Sequence, residues 1–285
     1  MKTILITGSN SGIGKATSIH LARNGYKVFA TMRNLEKADS LLKIAEDEDL
    51  KIEVVELDVN DQKSCEDAVS KVLESENKID VLINNAAISG SGSVEETPID
   101  TYKQIFETNF FGVIRLIQLV LPQMREKKSG RIINLSSAGG QIAIAPQSPY
   151  NSSKFALECL TETLAQEVRR FNIKVSLIQP GVVLTPIHKN LINLGNNDSP
   201  YYEFTKRIML IFRKEFENYL MPVDVAELIY EVVENENPKL RYMIGEDAFK
   251  WSKIRDSVRD EQWLTYGDSL TEEEFSALYL EWMGK

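Results

Sequence analysis

Short apolar runs alternate with longer stretches of helical period over the first 180 residues, and this rhythm predicts a strand–helix–strand chain. The first run, Lys2-Thr3-Ile4-Leu5-Ile6-Thr7, is apolar and β-branched, as befits a strand buried on both faces of a parallel sheet. It passes through Gly8-Ser9-Asn10-Ser11-Gly12-Ile13-Gly14 into a helical pattern ending near Arg23, with Gly25 placed as a C-cap. Further strands are predicted over 27–31, 52–57, 79–83 and 131–135, and long helices over about 102–124 and 150–170. The third strand alternates Ile52-Glu53-Val54-Val55-Glu56-Leu57, which places it toward an exposed side of the sheet. The predicted architecture is α/β: a doubly wound, mostly parallel sheet between two helical layers, with a helical extension at the C-terminal end.

A glycine-rich turn between a strand and a helix is the context of a phosphate-binding loop. Gly8 permits the tight turn, Gly12 lets the backbone approach a pyrophosphate, and Gly14 lets the helix pack close to the sheet. The helix N-terminus then presents unpaired N–H groups to the anion. The predicted fold is therefore a Rossmann fold binding a dinucleotide. At the end of the second strand, where an NAD site places an acid, stand Thr31 and Met32, followed by Arg33. A cation there pairs with a 2′-phosphate, so NADP(H) is favoured over NAD(H); the alternative is a solvated loop charge. Asp58 reads either as a partner for an adenine amino group or as a turn residue before Asn60-Asp61. Asn84-Asn85-Ala86-Ala87, after the fourth strand, supply small residues against which a dinucleotide can lie.

The proton chemistry is predicted elsewhere in the chain. Tyr150 and Lys154 lie four apart on one helix face, and Ser137 follows the strand at 131–135. Hydride transfer to a carbonyl leaves an alkoxide that needs a proton, and a free phenol is too weak an acid. A neighbouring ammonium favours phenolate, so Lys154 is expected to lower the Tyr150 pKa. Ser137 can hold a substrate oxygen. Asn109, polar within an apolar helix, can hold a water beside Lys154 as a proton relay. Each residue also has an ordinary role as an exposed pair, a turn serine or a core amide; their joint spacing behind the glycine loop favours the chemistry.

With these motifs in order over residues 1–190, the chain resembles the short-chain dehydrogenase/reductase family in its single-domain form. The matching elements are Thr7-Gly8-Ser9-Asn10-Ser11-Gly12-Ile13-Gly14, Asp58-Val59, Asn84-Asn85-Ala86, Asn109, Ser136-Ser137, Tyr150-x-x-x-Lys154 and Pro180-Gly181-x-x-x-Thr185. The resemblance implies a catalytic tetrad of Asn109, Ser137, Tyr150 and Lys154. It implies cofactor contacts from Gly8, Ser9, Ser11, Gly12, Ile13, Gly14, Asp58, Val59, Asn85, Tyr150, Lys154 (at a ribose) and Pro180-Gly181, with Val183 and Thr185 at the nicotinamide end. Ala87 stands where the family usually has glycine. Ser11 stands where NADP-dependent members often carry a base, so the NADP reading rests on Arg33. Phe29-Ala30-Thr31-Met32-Arg33-Asn34 and the long tail are similar to the branch of 17β-hydroxysteroid and retinol dehydrogenases. Relatives pair through helices corresponding to those at 102–124 and 150–170, which implies a homodimer or homotetramer.

Composition narrows the picture. A length of 285 residues suits one large domain, here taken as 1–240 with a substrate-covering insertion at about 186–221, plus an extension at 241–285. A net charge of −9 argues against nucleic acid or anionic membrane as partners. The strand beginning at residue 2 leaves no room for a signal peptide, and no membrane-spanning run is expected. Cys65 and Cys159 are expected as buried thiols of a cytoplasmic protein. His20 and His188 have no clustered ligands, so no metal site is expected.

After Thr185 a polar loop leads into an aromatic-rich helical pattern with Tyr201, Tyr202, Phe204, Ile208, Met209, Phe212 and Phe216. This is either an apolar substrate wall or an ordinary amphipathic helix. Gln141-Ile142-Ala143-Ile144-Ala145-Pro146 would line the opposite side, suiting a bulky, apolar alcohol or carbonyl substrate. The tail from Arg241 carries Trp251, Trp263, Tyr266, Phe275, Tyr279 and Trp282 and predicts one or two amphipathic helices; Glu272-Glu273-Glu274 suit a helix N-terminal turn. The leading expectation is an NADP(H)-dependent oxidoreductase. The alternative is a dinucleotide-sensing or interaction protein without turnover, against which the intact Asn-Ser-Tyr-Lys set argues.

Overall fold

The computed structural model describes residues 1–187, 198–215, 219–265 and 271, 273, 274 and 277, and of 209–215 only the backbone. His188, Phe216, Tyr266, Glu272, Phe275, Tyr279, Trp282, the loop at 188–197 and the side chains of Met209 and Phe212 lie outside the described residues.

Seven parallel strands form one sheet in the order β3-β2-β1-β4-β5-β6-β7. They are β1 (Thr3–Ile6), β2 (Lys27–Met32), β3 (Ile52–Glu56), β4 (Val81–Asn84), β5 (Gly130–Leu135), β6 (Ile173–Pro180) and β7 (Arg241–Ile244). The chain moves outward from β1 to β3, returns to pair β4 with β1, and moves outward again. The reversal opens a crevice beyond the carboxyl ends of β1 and β4, the place where such sheets bind ligands.

Period-2 alternation assigns the two cores. Leu5, Phe29, Leu82 and Ile132 stand in register across four strands on one face. There they meet α3 (Gln62–Glu76), α5 (Gly112–Lys127) and α6 (Ser148–Val168). Ile6, Ala30, Ile83 and Ile133 face the other way, toward α1 (Gly12–Arg23), α2 (Asp39–Asp47) and α8 (Pro222–Glu234). Each fully buried Leu, Ile or Phe contributes roughly 1.5–3 kcal/mol, so these rows carry much of the stability. Val113, Leu116, Val120 and Met124 make the buried stripe of α5, at the spacing of one helix face.

The structure alters four expectations. Arg241–Ile244 is not the start of a helical tail but the seventh strand, paired Leu177↔Arg241 through Pro180↔Ile244. It is four residues long and half-buried at the sheet edge, so no apolar run announces it. The helices α9 (Glu246–Ser257) and α10 (Asp260–Leu264) follow it. Second, helix α4 (Ile99–Phe106) runs through a π-helical segment at Glu107–Phe111 into α5 without a break. Within the resulting 29-residue stretch Ile99–Lys127, one 18-residue window has a mean hydropathy of 1.3, apolar enough by length and composition alone for a membrane span, where the sequence reading expected none. Its inner face nevertheless belongs to the core. Third, Cys65 is buried but Cys159 is exposed, because it falls with Ser152 and Phe155 on the outward face of α6. Fourth, the environment of Tyr150 reverses the expected pKa shift, as described below.

Candidate active site

A cleft of about 450 Å³ opens at the crevice beyond β1 and β4. Its floor is the glycine turn. Gly12 has φ +55°, and a Cβ on it would lie 3.1 Å from Thr185 Cγ2. A Cβ on Gly14 would lie 2.3 Å from the Gly8 carbonyl oxygen, which is incompatible with contact, so glycine there is a packing requirement. Ser11 is the N-cap of α1 but makes no side-chain cap bond, and the first turn holds no acid. The end of α1 that faces the cleft therefore offers N–H groups and positive potential, as an anion site needs. These features fit a dinucleotide pyrophosphate.

Of the residues singled out from the sequence, Gly8, Ser11, Gly12, Ile13, Arg33, Asp58, Val59, Asn85, Ser137, Tyr150, Lys154, Pro180, Gly181, Val183 and Thr185 all line this cleft. Ser9, Gly14 and Asn109 do not. Ser9 is fully buried; its amide donates to the Thr31 carbonyl at 2.8 Å and its hydroxyl faces that of Ile6. It shapes the turn from behind. Asp58 makes a turn, its Oδ1 accepting from the Asn60 amide at 3.0 Å, while Asp61 caps α3. Asn85 donates to the carbonyls of Thr7 and Gly8, tying β4 to the glycine loop.

Asn109 lies in the π-helical segment, fully buried. Its Oδ1 accepts from the Ile88 amide, and its Nδ2 donates to the Ile88 carbonyl and to Ser153 Oγ, all at 2.9–3.0 Å. Both Nδ2 hydrogens are thus engaged, one with the loop after β4 and one with α6, while Oδ1 accepts one bond from that loop. The Gly112 amide reaches back five residues to the Glu107 carbonyl, which shifts the backbone ladder around Asn109. Such π-bulges recur at functional sites.

Ser137, two residues beyond β5, is extended and caps the short turn Ala138–Gly140, accepting from the Gly139 amide at 3.1 Å. The Tyr150 phenol lies within reach of this hydroxyl, which favours its ionised form. Tyr150 lies in the first turn of α6, behind Pro149. One turn later, Lys154 is 2 % exposed; its Nζ donates to the Leu135 carbonyl at 2.7 Å and stands 5.7 Å from the centre of the Tyr150 ring. The end of β5 thus brings the serine and the lysine beside the phenol.

Burial dominates the acid–base properties. It raises the Tyr150 pKa above its ordinary value, and the Ser137 hydroxyl offsets only part of this. The predicted lowering by Lys154 does not outweigh burial; its ammonium lies over the Tyr150 ring, 5.7 Å from the centre, and donates to the Leu135 carbonyl. Burial also lowers the Lys154 pKa to about 8, opposed by the nearby Glu158 carboxylate. Glu158 is itself buried, accepting from Gln179 at 3.0 Å and from Arg241 of β7 at 2.9 Å.

Three features escaped the sequence reading. Arg33 shares a shallow depression with Asn10, Met32 and Lys37, a second cation five residues beyond the end of β2. Asp247 and Trp251, one turn apart on α9, line the main cleft. They lie beyond every motif, and nothing in their spacing marks them. Trp251 forms a third apolar cluster with Ile142, Ile208 and Ile254, against which Ile144, Phe204 and Trp263 pack. The segment between Ser137 and Tyr150, the helix α7 (Tyr202–Glu215) and the C-terminal helices thus meet in one wall beside the phenol.

Comparison with known proteins agrees with this geometry. The profile of the short chain dehydrogenase family matches residues 2–193. A 3-ketodihydrosphingosine reductase of Bacteroides thetaiotaomicron is 36 % identical over 244 residues, covering 85 % of this chain and 87 % of that protein. Retinol dehydrogenase 8 of Bos taurus is 34 % identical over 253 residues, covering 84 % and 80 %. A crystal structure of a short-chain dehydrogenase from Streptomyces avermitilis superposes with a TM-score of 0.80 at 34 % identity, covering 93 % of this chain and 95 % of that one. The glycine cradle, the serine–tyrosine–lysine convergence and these matches together make the chain an oxidoreductase of the short-chain dehydrogenase/reductase family.

Proposed function

We propose that the protein transfers a hydride between NADP(H) and the carbonyl or secondary alcohol of a bulky, apolar substrate, with Tyr150 as the general acid and base. The observation that carries this reading is the convergence of Ser137, Tyr150 and Lys154 at the carboxyl end of β5, opposite the glycine cradle.

The nicotinamide, when bound, supplies or takes up the hydride. The protein's own residues handle the oxygen and the proton. Ser137 and Tyr150 present hydroxyls to the substrate oxygen. In reduction the phenol gives its proton to that oxygen as negative charge develops there. The raised pKa keeps the phenol protonated throughout the neutral range, which suits a donor. The phenolate left behind is stabilised by the Ser137 hydroxyl and by the nearby Lys154 ammonium. In oxidation the same groups act in reverse. The Asn109 amide braces the loop after β4 against α6, keeping Tyr150 and Lys154 in place.

NADP(H) is favoured because no acid stands at the end of β2, while Arg33 and Lys37 border the same depression. Two cations there suit a 2′-phosphate. The apolar substrate class is supported by Ile142, Ile144 and Trp251 beside the catalytic phenol. The sphingoid and retinoid named for two relatives are substrates of that kind. Exposed Phe111 and Phe155, on the outward faces of the π-helical segment and α6, fit a homo-oligomer contact.

Fluorescence titration with NADPH and NADH, on wild type and Arg33→Ala, tests the cofactor assignment. Tighter NADPH binding that weakens selectively in the variant is expected. Equal or tighter NADH binding, unmoved by the substitution, contradicts it.

A further inference from the structure

Asp247 is a carboxylate in a seat made for it. It is the second residue of α9 and is 6 % exposed. A Cβ on Gly181 would lie 2.1 Å from its Oδ1, and one on Gly245 would lie 2.5 Å away. The chain thus forgoes a side chain at both positions, one beyond the end of β6 and one beyond the end of β7, and the carboxylate fills the space. Oδ2 accepts from the Val182 amide at 2.6 Å. Oδ1 is buried with no hydrogen-bond partner among the described residues, at the wall of the main cleft. The amides of Asp247 and Ala248 at the start of α9 also face this carboxylate, so helix capping accounts for part of the seat but not for its bond to Val182.

The reason for that bond lies in what Val182 carries. The segment 181–185 runs between two supports. On one side Asp247 holds the Val182 amide; on the other the Val182 carbonyl accepts from the Leu220 amide and the Leu184 amide donates to the Leu220 carbonyl, both at 2.8 Å. Between these points Val183 faces the cleft, and Thr185 packs over Gly12 of the phosphate cradle. Both supports come from chain beyond residue 193, where the family profile ends.

We propose that Asp247 is a positioning residue that fixes the 181–185 loop over the cleft, so that the C-terminal extension sets the place of the cofactor's nicotinamide end. This rests on the dinucleotide reading above. Truncation releases the loop that meets the nicotinamide but leaves the glycine cradle and the Arg33 site intact. Binding of the adenosine half should therefore be spared.

The test is calorimetric titration of the full chain with NADPH and with 2′-phospho-ADP-ribose, which lacks the nicotinamide. Asp247→Ala is expected to weaken NADPH by about tenfold or more while the fragment stays within about twofold. Asp247→Asn keeps an oxygen for the Val182 amide and is expected to restore most of the NADPH affinity. Unchanged NADPH binding in Asp247→Ala, or equal loss for both ligands, overturns the proposal while leaving the dinucleotide reading standing. If wild type binds neither ligand, the dinucleotide reading falls and this proposal falls with it.

Discussion

The Lys154 ammonium stands 5.7 Å from the centre of the Tyr150 ring, and both groups are shifted by burial toward their neutral forms. The pair is therefore not a ready-made phenolate–ammonium couple. It is a protonated donor beside a lysine that titrates near pH 8. The lysine's ordinary value is 10.5, so between the two values the unfolded chain binds more protons at this site than the folded one. Stability from this group thus rises with pH through that window, and the burial cost is complete below it.

Lys154→Met removes the titration. Wild type is expected to gain stability relative to the variant as pH rises from about 8 to about 10, with a constant offset below. Urea midpoints of both proteins across that range check this. Parallel profiles would show that the lysine is not depressed in the folded state.

Ser137→Ala removes the hydroxyl that lowers the phenol pKa, one of the two offered to the substrate oxygen. Turnover is expected to fall by roughly a hundredfold or more with NADPH affinity preserved. The rising limb of the pH profile for alcohol oxidation, which needs phenolate, is expected to move to higher pH. Steady-state kinetics over pH measures both.

Trp251 is 5 % exposed and joins the C-terminal helices to the segment before Tyr150. Trp251→Ala is expected to lower kcat/KM for a steroid-sized ketone by about tenfold or more, and to change a small ketone much less. It is also expected to cost roughly 3–5 kcal/mol of stability, since a large buried side chain is removed. Equal effects on both ketones would make Trp251 a structural residue only.

Gly14→Ala places a methyl 2.3 Å from the Gly8 carbonyl oxygen. The backbone must give way, so α1 is expected to shift from β1 and NADPH binding to be lost before the fold is. Titration and circular dichroism on the same sample separate the two effects.

The glycine turn was legible in the sequence because its parts are local in the chain: a strand, three glycines and a helix follow one another. Tyr150, Lys154 and Ser137 were legible by spacing on one helix and at one strand end. What the sequence hid depends on contacts distant in the chain. Arg241–Ile244 becomes a strand only because β6 offers it an edge. Asp247 matters through Val182, 65 residues earlier. The direction of the Tyr150 shift was missed because burial, set by the whole fold, outweighs the neighbouring charge. Asn109 was found by its polarity within an apolar helix, yet its partners, Ile88 and Ser153, come from two other segments.

The central claim is that Tyr150 passes the proton that accompanies hydride transfer. Its most direct test is the rate of NADPH oxidation with a bulky apolar ketone, in wild type and Tyr150→Phe, together with NADPH affinity. The account predicts a loss of turnover of at least about a thousandfold with affinity nearly unchanged. Substantial turnover in the variant would contradict it.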